Sequence, residues 1–268
     1  MKQSLHFSVK PRDCRATLAM TPSNKTNFMI LPSLLEYSTH DLNSRLDQIL
    51  ALLEKKEYFK LVYITNDIKK DTVSLHLDFV LSQFAKDRNP ILASLSPNEV
   101  FNCLKLKFPK QKLDLTIHLM GELEDLPKAW QYFETLRKPR NWDMTLFLPY
   151  NQAISWRRTF KKYKIGAWID LSQWYEIDEK GNFSKPKILD LPNINSVLVM
   201  TVQAGKSGQK LTPEVENALS KFVEKNKEIS YFVIDGGWSK KTAQAFIDKN
   251  NPQTTVDFVS YSGFWGNI

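Results

Sequence analysis

Short apolar runs that alternate with segments of helical period predict a (β/α)8 barrel of the TIM type. Three observations carry this. Eight runs have the length of buried strands, helices fit between most of them, and no stretch between residues 28 and 268 has the composition of a linker. A chain of 268 residues with 42% hydrophobic side chains is long enough to build such a barrel as one domain. Residues 1–27 precede the first strand and read as an N-terminal extension.

The strands are expected at Phe28–Ser33, Ser74–Val80, Leu113–Leu119, Met144–Leu148, Ile165–Leu171, Ser196–Val202, Tyr231–Asp235 and Val256–Ser260. The first helix is expected over Leu42–Lys56, with Leu46, Ile49, Leu50 and Leu53 on one stripe and Asp41 as its N-cap. Further helices are expected at Asn98–Lys107, Leu126–Arg137, Gln152–Tyr163, Pro213–Lys225 and Lys240–Lys249. Two stretches lengthen the minimal plan. One is Tyr58–Val73, whose Tyr58–Thr65 part has the pattern of a strand. The other is Trp174–Asn195, with Lys180-Gly181-Asn182 as a turn.

Composition limits the partners. No run approaches the roughly 18 to 20 apolar residues of a membrane span, and Lys2, Lys10, Arg12 and Arg15 interrupt the N-terminal stretch where a secretory signal would be apolar. The expectation is a cytoplasmic protein without a membrane partner, its Cys14 and Cys103 reduced. The net charge is +8, but positive residues look dispersed. Runs such as Lys105–Lys112 and Arg157–Lys164 carry interleaved apolar residues that suit solvated helix faces, so no nucleic acid is expected.

Chemistry is sought where polar residues interrupt apolar runs near the C-terminal ends of strands, because barrel sites form there. In Leu75-His76-Leu77-Asp78-Phe79 the alternation of a strand sends His76 and Asp78 to one side, the lumen. The third strand ends in His118-Leu119-Met120 and the seventh in Asp235-Gly236-Gly237. Singly, such a histidine is an ordinary core residue, and an Asp before Gly-Gly an ordinary turn former. Together they form a set of two imidazoles and two carboxylates suited to one Zn2+, Mn2+ or Fe2+ ion.

These residues fall within runs that resemble the ribulose-phosphate 3-epimerase family. Val197-Leu198-Val199-Met200-Thr201-Val202 followed by Gly205, Ser207, Gly208 and Gln209 is similar to the family's sixth-strand motif. Ile30-Leu31-Pro32-Ser33-Leu34-Leu35 resembles its first strand, Leu75–Asp78 its second, Asp114–Met120 its third and Ile234–Gly237 its seventh, in order along the chain. The resemblance implies a metal-dependent 3-epimerase of a ketose phosphate, either ribulose 5-phosphate or a hexulose 6-phosphate such as allulose 6-phosphate. His76, Asp78, His118 and Asp235 would hold the metal, and Asp78 and Asp235 would act as proton carriers on opposite faces of the substrate carbon. Ser33, His118, Met120, Gly205, Ser207, Gly208, Gly236, Gly237 and Ser262 would contact the phosphorylated sugar. Inversion needs one proton acceptor and one donor, and a divalent cation lowers the cost of the anion between them.

The chain departs from the family pattern at Leu81-Ser82, Phe147-Leu148-Pro149, Asp170-Leu171 and Tyr261-Ser262, where a tyrosine ring has the bulk that could crowd the phosphate. A barrel that binds a sugar phosphate without turning it over shares the same residues. Homo-oligomer formation is left open by the sequence.

Overall fold

A computed structural model of the chain describes residues 28–35, 38–64, 71–81, 95–121, 125–170, 174–177, 183–186, 194–203 and 209–266. Its central feature is a closed barrel of eight parallel strands: β1 (Ile30–Leu34), β2 (Thr72–Val80), β3 (Lys112–Met120), β4 (Trp142–Pro149), β5 (Lys164–Ile169), β8 (Ser196–Met200), β9 (Tyr231–Asp235) and β10 (Thr255–Ser260). They lie in sequence order around the barrel, and β10 closes it against β1 through the pairs Ile30↔Phe258 and Leu31↔Val259. The predicted fold class is therefore the observed one. The extra strands β6 (Tyr175–Ile177) and β7 (Phe183–Pro186) pair antiparallel in the stretch between β5 and β8.

Helices α1 (Thr39–Glu54), α2 (Tyr58–Val62), α3 (Pro97–Lys107), α4 (Leu126–Thr135), α5 (Tyr150–Trp156), α6 (Pro213–Lys225), α7 (Lys240–Asn250) and α8 (Ser262–Trp265) fill the connections. Their starts follow capping chemistry. Ser96 and Glu99 form a reciprocal capping box at α3, with Pro97 in the first turn, and Thr212 caps α6 ahead of Pro213.

Alternation along the strands builds two separate cores. Outward positions such as Val197, Val199, Phe232 and Ile234 pack with the buried faces of the helices. Inward positions form a second cluster that contains no helical residue: Leu31, Met120, Phe147, Trp168, Leu198, Met200, Val233 and Val259 are among its members. Gly166 makes room within it, since a Cβ there would stand 2.5 Å from Phe147 Cε1.

Four local expectations are corrected. The described part of Tyr58–Thr65, up to Ile64, is no strand: Tyr58–Val62 is a helical turn, anchored by the buried Tyr58 hydroxyl donating to Ser74 O at 2.6 Å. The N-cap of α1 is Ser38, and Asp41 sits in the first turn, its amide bonded to Ser38 Oγ. The buried stripe of α1 is Leu42, Leu46, Ile49 and Leu52, with Leu50 and Leu53 only half-buried. The helix expected over Gln152–Tyr163 stops at Trp156, and residues 157–163 run as turns into β5.

Candidate metal centre and active site

Parity and register bring the four predicted ligands together. Across β1, β2 and β3 the pairs Ser33↔His76 and Asp78↔His118 stand side by side, and across β8, β9 and β10 Asp235 pairs with Met200 and Val259. One donor atom each from His76, Asp78, His118 and Asp235 lies within 4.8 Å of the other three. His76 Nε2 stands 3.0 Å from Asp78 Oδ1 and 3.6 Å from Asp235 Oδ2, while His118 Nδ1 stands 3.2 Å and 3.6 Å from the same two oxygens. Donors about 2.1 Å from a shared ion stand about 3.0 Å apart at right angles and about 3.4 Å apart at the tetrahedral angle. These four separations are close to those of donors that share one ion.

Electrostatics agree with this. Burial would raise the Asp78 carboxyl, but the neighbouring His76 charge and hydrogen bonds from His118 and His76 outweigh it and hold the group well below the usual carboxylate range. Burial would likewise lower the His118 imidazole, yet the neighbouring carboxylates of Asp235 and Asp78 push it up to about 9. Two carboxylates in a closed lumen therefore draw positive charge to the point between them. The nitrogens facing the other way, His76 Nδ1 and His118 Nε2, are buried without a hydrogen-bond partner. Each can carry the imidazole proton while the inward nitrogen offers its lone pair, and a His2Asp2 set of this kind fits a divalent ion.

The surroundings of the cluster divide into a polar side and an apolar wall. Ser33 Oγ donates to Asp78 Oδ2 at 2.7 Å, so Ser33 contacts a carboxylate of the cluster. Met120 and Met200 lie in the inward apolar cluster. Trp168 was missed by the sequence reading. Its ring meets that of His118 edge-on at 5.0 Å, and its Nε1 donates to Leu119 O at 2.8 Å. Strand parity, which puts Gly166, Trp168 and Asp170 on one side, was the available signal.

Above β9, Gly236 and Gly237 have φ of 110° and 77°, where glycine is favoured. A Cβ on Gly237 would come within 2.6 Å of Leu211 N and 3.1 Å of Gln209 O, so the segment after β8 rests on bare backbone. Gln209 closes the base of the intervening loop: its Nε2 donates to Gln203 O at 2.6 Å and its Oε1 accepts from Gln203 N at 3.3 Å. Gly205, Ser207 and Gly208 lie outside the described residues, as does the side chain of Ser262. Tyr261 does not crowd this region. It packs on the outer core with the Arg45 guanidinium 5.6 Å from its ring centroid, and the same guanidinium lies 4.7 Å from the ring centroid of Trp265.

Fold and site together define a (β/α)8 barrel with a buried two-histidine, two-aspartate cluster toward the C-terminal ends of its strands. The family model of the Ribulose-phosphate 3 epimerase family matches residues 187–256, from just after β7 into β10. That match supports membership of the family and agrees with the resemblance read from the motifs, on 70 of the 268 residues. No curated protein sequence matches the chain. Among solved structures, the tryptophan synthase a2b2 complex from the hyperthermophile Pyrococcus furiosus aligns with a TM-score of 0.53, at 12% identity over 89% of each chain. A structure of the tryptophan synthase A-subunit from the same organism aligns at 0.51, also at 12% identity over 89% of each chain. At this identity the likeness is one of fold. No helix among the described residues is long and apolar enough to cross a membrane.

Proposed function

We propose that the protein is a metal-dependent 3-epimerase of a ketose phosphate. The observation that carries this reading is the convergence of Asp78 and Asp235 with His76 and His118 in one buried cluster of ligand spacing. A divalent ion held by these four residues would supply Lewis-acid stabilisation of negative charge developing on the substrate.

The chain's own residues supply the rest. One carboxylate accepts the proton from the carbon next to the ketone, and the electron pair moves into an enediolate. The other carboxylate delivers a proton to the opposite face, so the C–H bond broken on one side is remade on the other. Ser33, by bonding Asp78 Oδ2, fixes the orientation of that carboxylate. Trp168, Met120, Phe147 and Met200 exclude water from the lumen beneath. Gly236 and Gly237, beside the Gln209–Leu211 backbone, offer bare backbone to the substrate phosphate.

The test is deuterium uptake from D2O into ribulose 5-phosphate and a hexulose 6-phosphate, with metal content measured on the same sample. Uptake with inversion at C3 supports the reading. Metal-loaded protein that neither exchanges nor inverts any ketose phosphate refutes it and leaves a binding barrel.

A further inference from the structure

The basic runs that look dispersed along the chain are gathered by the barrel. Residues 105–112, 136–143 and 157–164 lead into β3, β4 and β5, which are consecutive staves. All three segments therefore meet at the N-terminal end of the strands, away from the end that carries the metal cluster. They hold twelve Lys or Arg against one acid, Asp143, an excess of eleven where the entire chain has only +8.

Ten of the twelve are exposed, with Lys105 and Lys107 half-buried. Local pairing neutralises little of this charge. Lys107, Lys112 and Lys164 meet Asp47, Asp71 and Asp143, whereas Arg137, Lys138, Arg140, Arg157, Arg158 and Lys161 have no carboxylate partner among the described residues. Like charges at this density repel, and a bound polyanion relieves the repulsion.

Shape narrows the choice of polyanion. Arg157, Arg158, Lys161 and Lys164 line a groove of about 900 Å³ that runs past Ile154 to Asn195 and includes no acidic side chain. A flat membrane surface cannot enter such a concavity, whereas a flexible single strand can follow it with its phosphates. The exposed large apolar residues among those described, Leu106, Tyr132 and Ile154, sit on α3, α4 and α5, the helices that feed the three basic segments. Lys162 Nζ donates to Glu134 O, which joins the end of α4 to the segment that carries Arg157, Arg158 and Lys161. Single-strand binding sites combine a cationic track with aromatic faces on which bases stack, and of the three exposed apolar side chains Tyr132 has the ring.

We infer that this end of the barrel is a binding surface for single-stranded nucleic acid, held through its phosphates by Arg157, Arg158, Lys161 and Lys164. The inference does not depend on the epimerase reading, because none of these residues belongs to the metal cluster.

The test uses the purified full-length chain and a fluorescently labelled polyuridylate 20-mer, with anisotropy followed between 50 and 200 mM KCl. Binding should weaken with salt. The variant R157E/R158E/K161E should lose at least about tenfold in affinity, and its slope of log affinity against log salt should shrink by about two, from about 0.7 per phosphate contact. R157Q/R158Q/K161Q serves as the second variant should charge reversal impair folding. K128E, on the far end of α4, and D235N, in the metal cluster, should bind as the parent does. No association at 50 mM KCl, or equal affinity in the triple variants, overturns the inference. So does binding to polyglutamate as tight as to the oligonucleotide, or binding to phosphatidylserine vesicles with none to the oligonucleotide.

Discussion

Ser33 Oγ donates a 2.7 Å hydrogen bond to Asp78 Oδ2, leaving Asp78 Oδ1 to face His76 and His118 at 3.0 and 3.2 Å. The two oxygens of one carboxylate thus have separate tasks, one tethered and one presented to the lumen. Removing the tether by Ser33→Ala frees the carboxylate to rotate. Epimerisation should fall about 10-fold or more while metal content stays near one per chain, which steady-state kinetics and metal analysis on one preparation will separate.

Asp78→Asn and Asp235→Asn should each lower epimerisation by several orders of magnitude. General acid–base catalysis alone contributes about 10² to 10⁴, and the amide also binds a cation less well. Of the two, a variant that retains metal should still exchange the substrate proton with D2O from the intact face without completing inversion. Mass spectrometry of recovered substrate distinguishes exchange from inversion.

Replacing Gln209 with Ala removes both hydrogen bonds to Gln203 and unfastens the loop over Gly237. The expected effect is a rise of several-fold in KM for the phosphorylated ketose, with kcat changed less, because the loop contributes binding rather than proton transfer. An unchanged KM removes the loop from the phosphate site.

Asp257 predicts a pH dependence of stability. It is buried at the start of β10, accepts from Met29 N and the Tyr231 hydroxyl at 2.9 Å each, and burial pushes its carboxyl up to about 7. The folded protein therefore holds a proton that the unfolded chain has released, in the window between about 4 and 7. Stability contributed by this group should be complete below that window and fall as pH rises through it. Asp257→Asn should flatten the slope and raise the denaturation midpoint above pH 7, measured by urea unfolding at a series of pH values.

Much of this could be read from residue order, and the exceptions share a physical cause. His76 and Asp78 were legible because strand parity alone sends both to the lumen, and Asp235 because it ends an apolar run before Gly236-Gly237. Asp41 was mistaken for an N-cap because Ser38, the true cap, bonds it three residues on, and either residue type suits the position. Tyr58 resembles a strand residue until its hydroxyl finds Ser74 O, sixteen residues away. Trp168 next to His118, and the meeting of Arg137, Arg157 and Lys110 at one end, depend on which strands become neighbours. That is set by closure of the barrel, which no local window contains.

Packing within the lumen offers a check that is independent of chemistry. Gly166→Ala places a methyl against Phe147 Cε1 and Ser196 O, both held in a closed wall. Destabilisation of about 1 to 3 kcal/mol is expected from the overpacking, seen as a lower urea midpoint with an unchanged m-value.

The pairing of β1 with β10 has a consequence for how the chain is made. Met29 N and Asp257 Oδ1, joined in the finished barrel, are 228 positions apart. At about 5 to 20 residues per second, the ribosome needs roughly 10 to 45 s to bring the second after the first. Throughout that time β1 has an unoccupied edge, and the growing sheet can curl but cannot close. The last stave to be translated is the one that turns a sheet with two open borders into a wall with none, so interruption of synthesis anywhere before Thr255 leaves a template for misassociation rather than a smaller version of the protein.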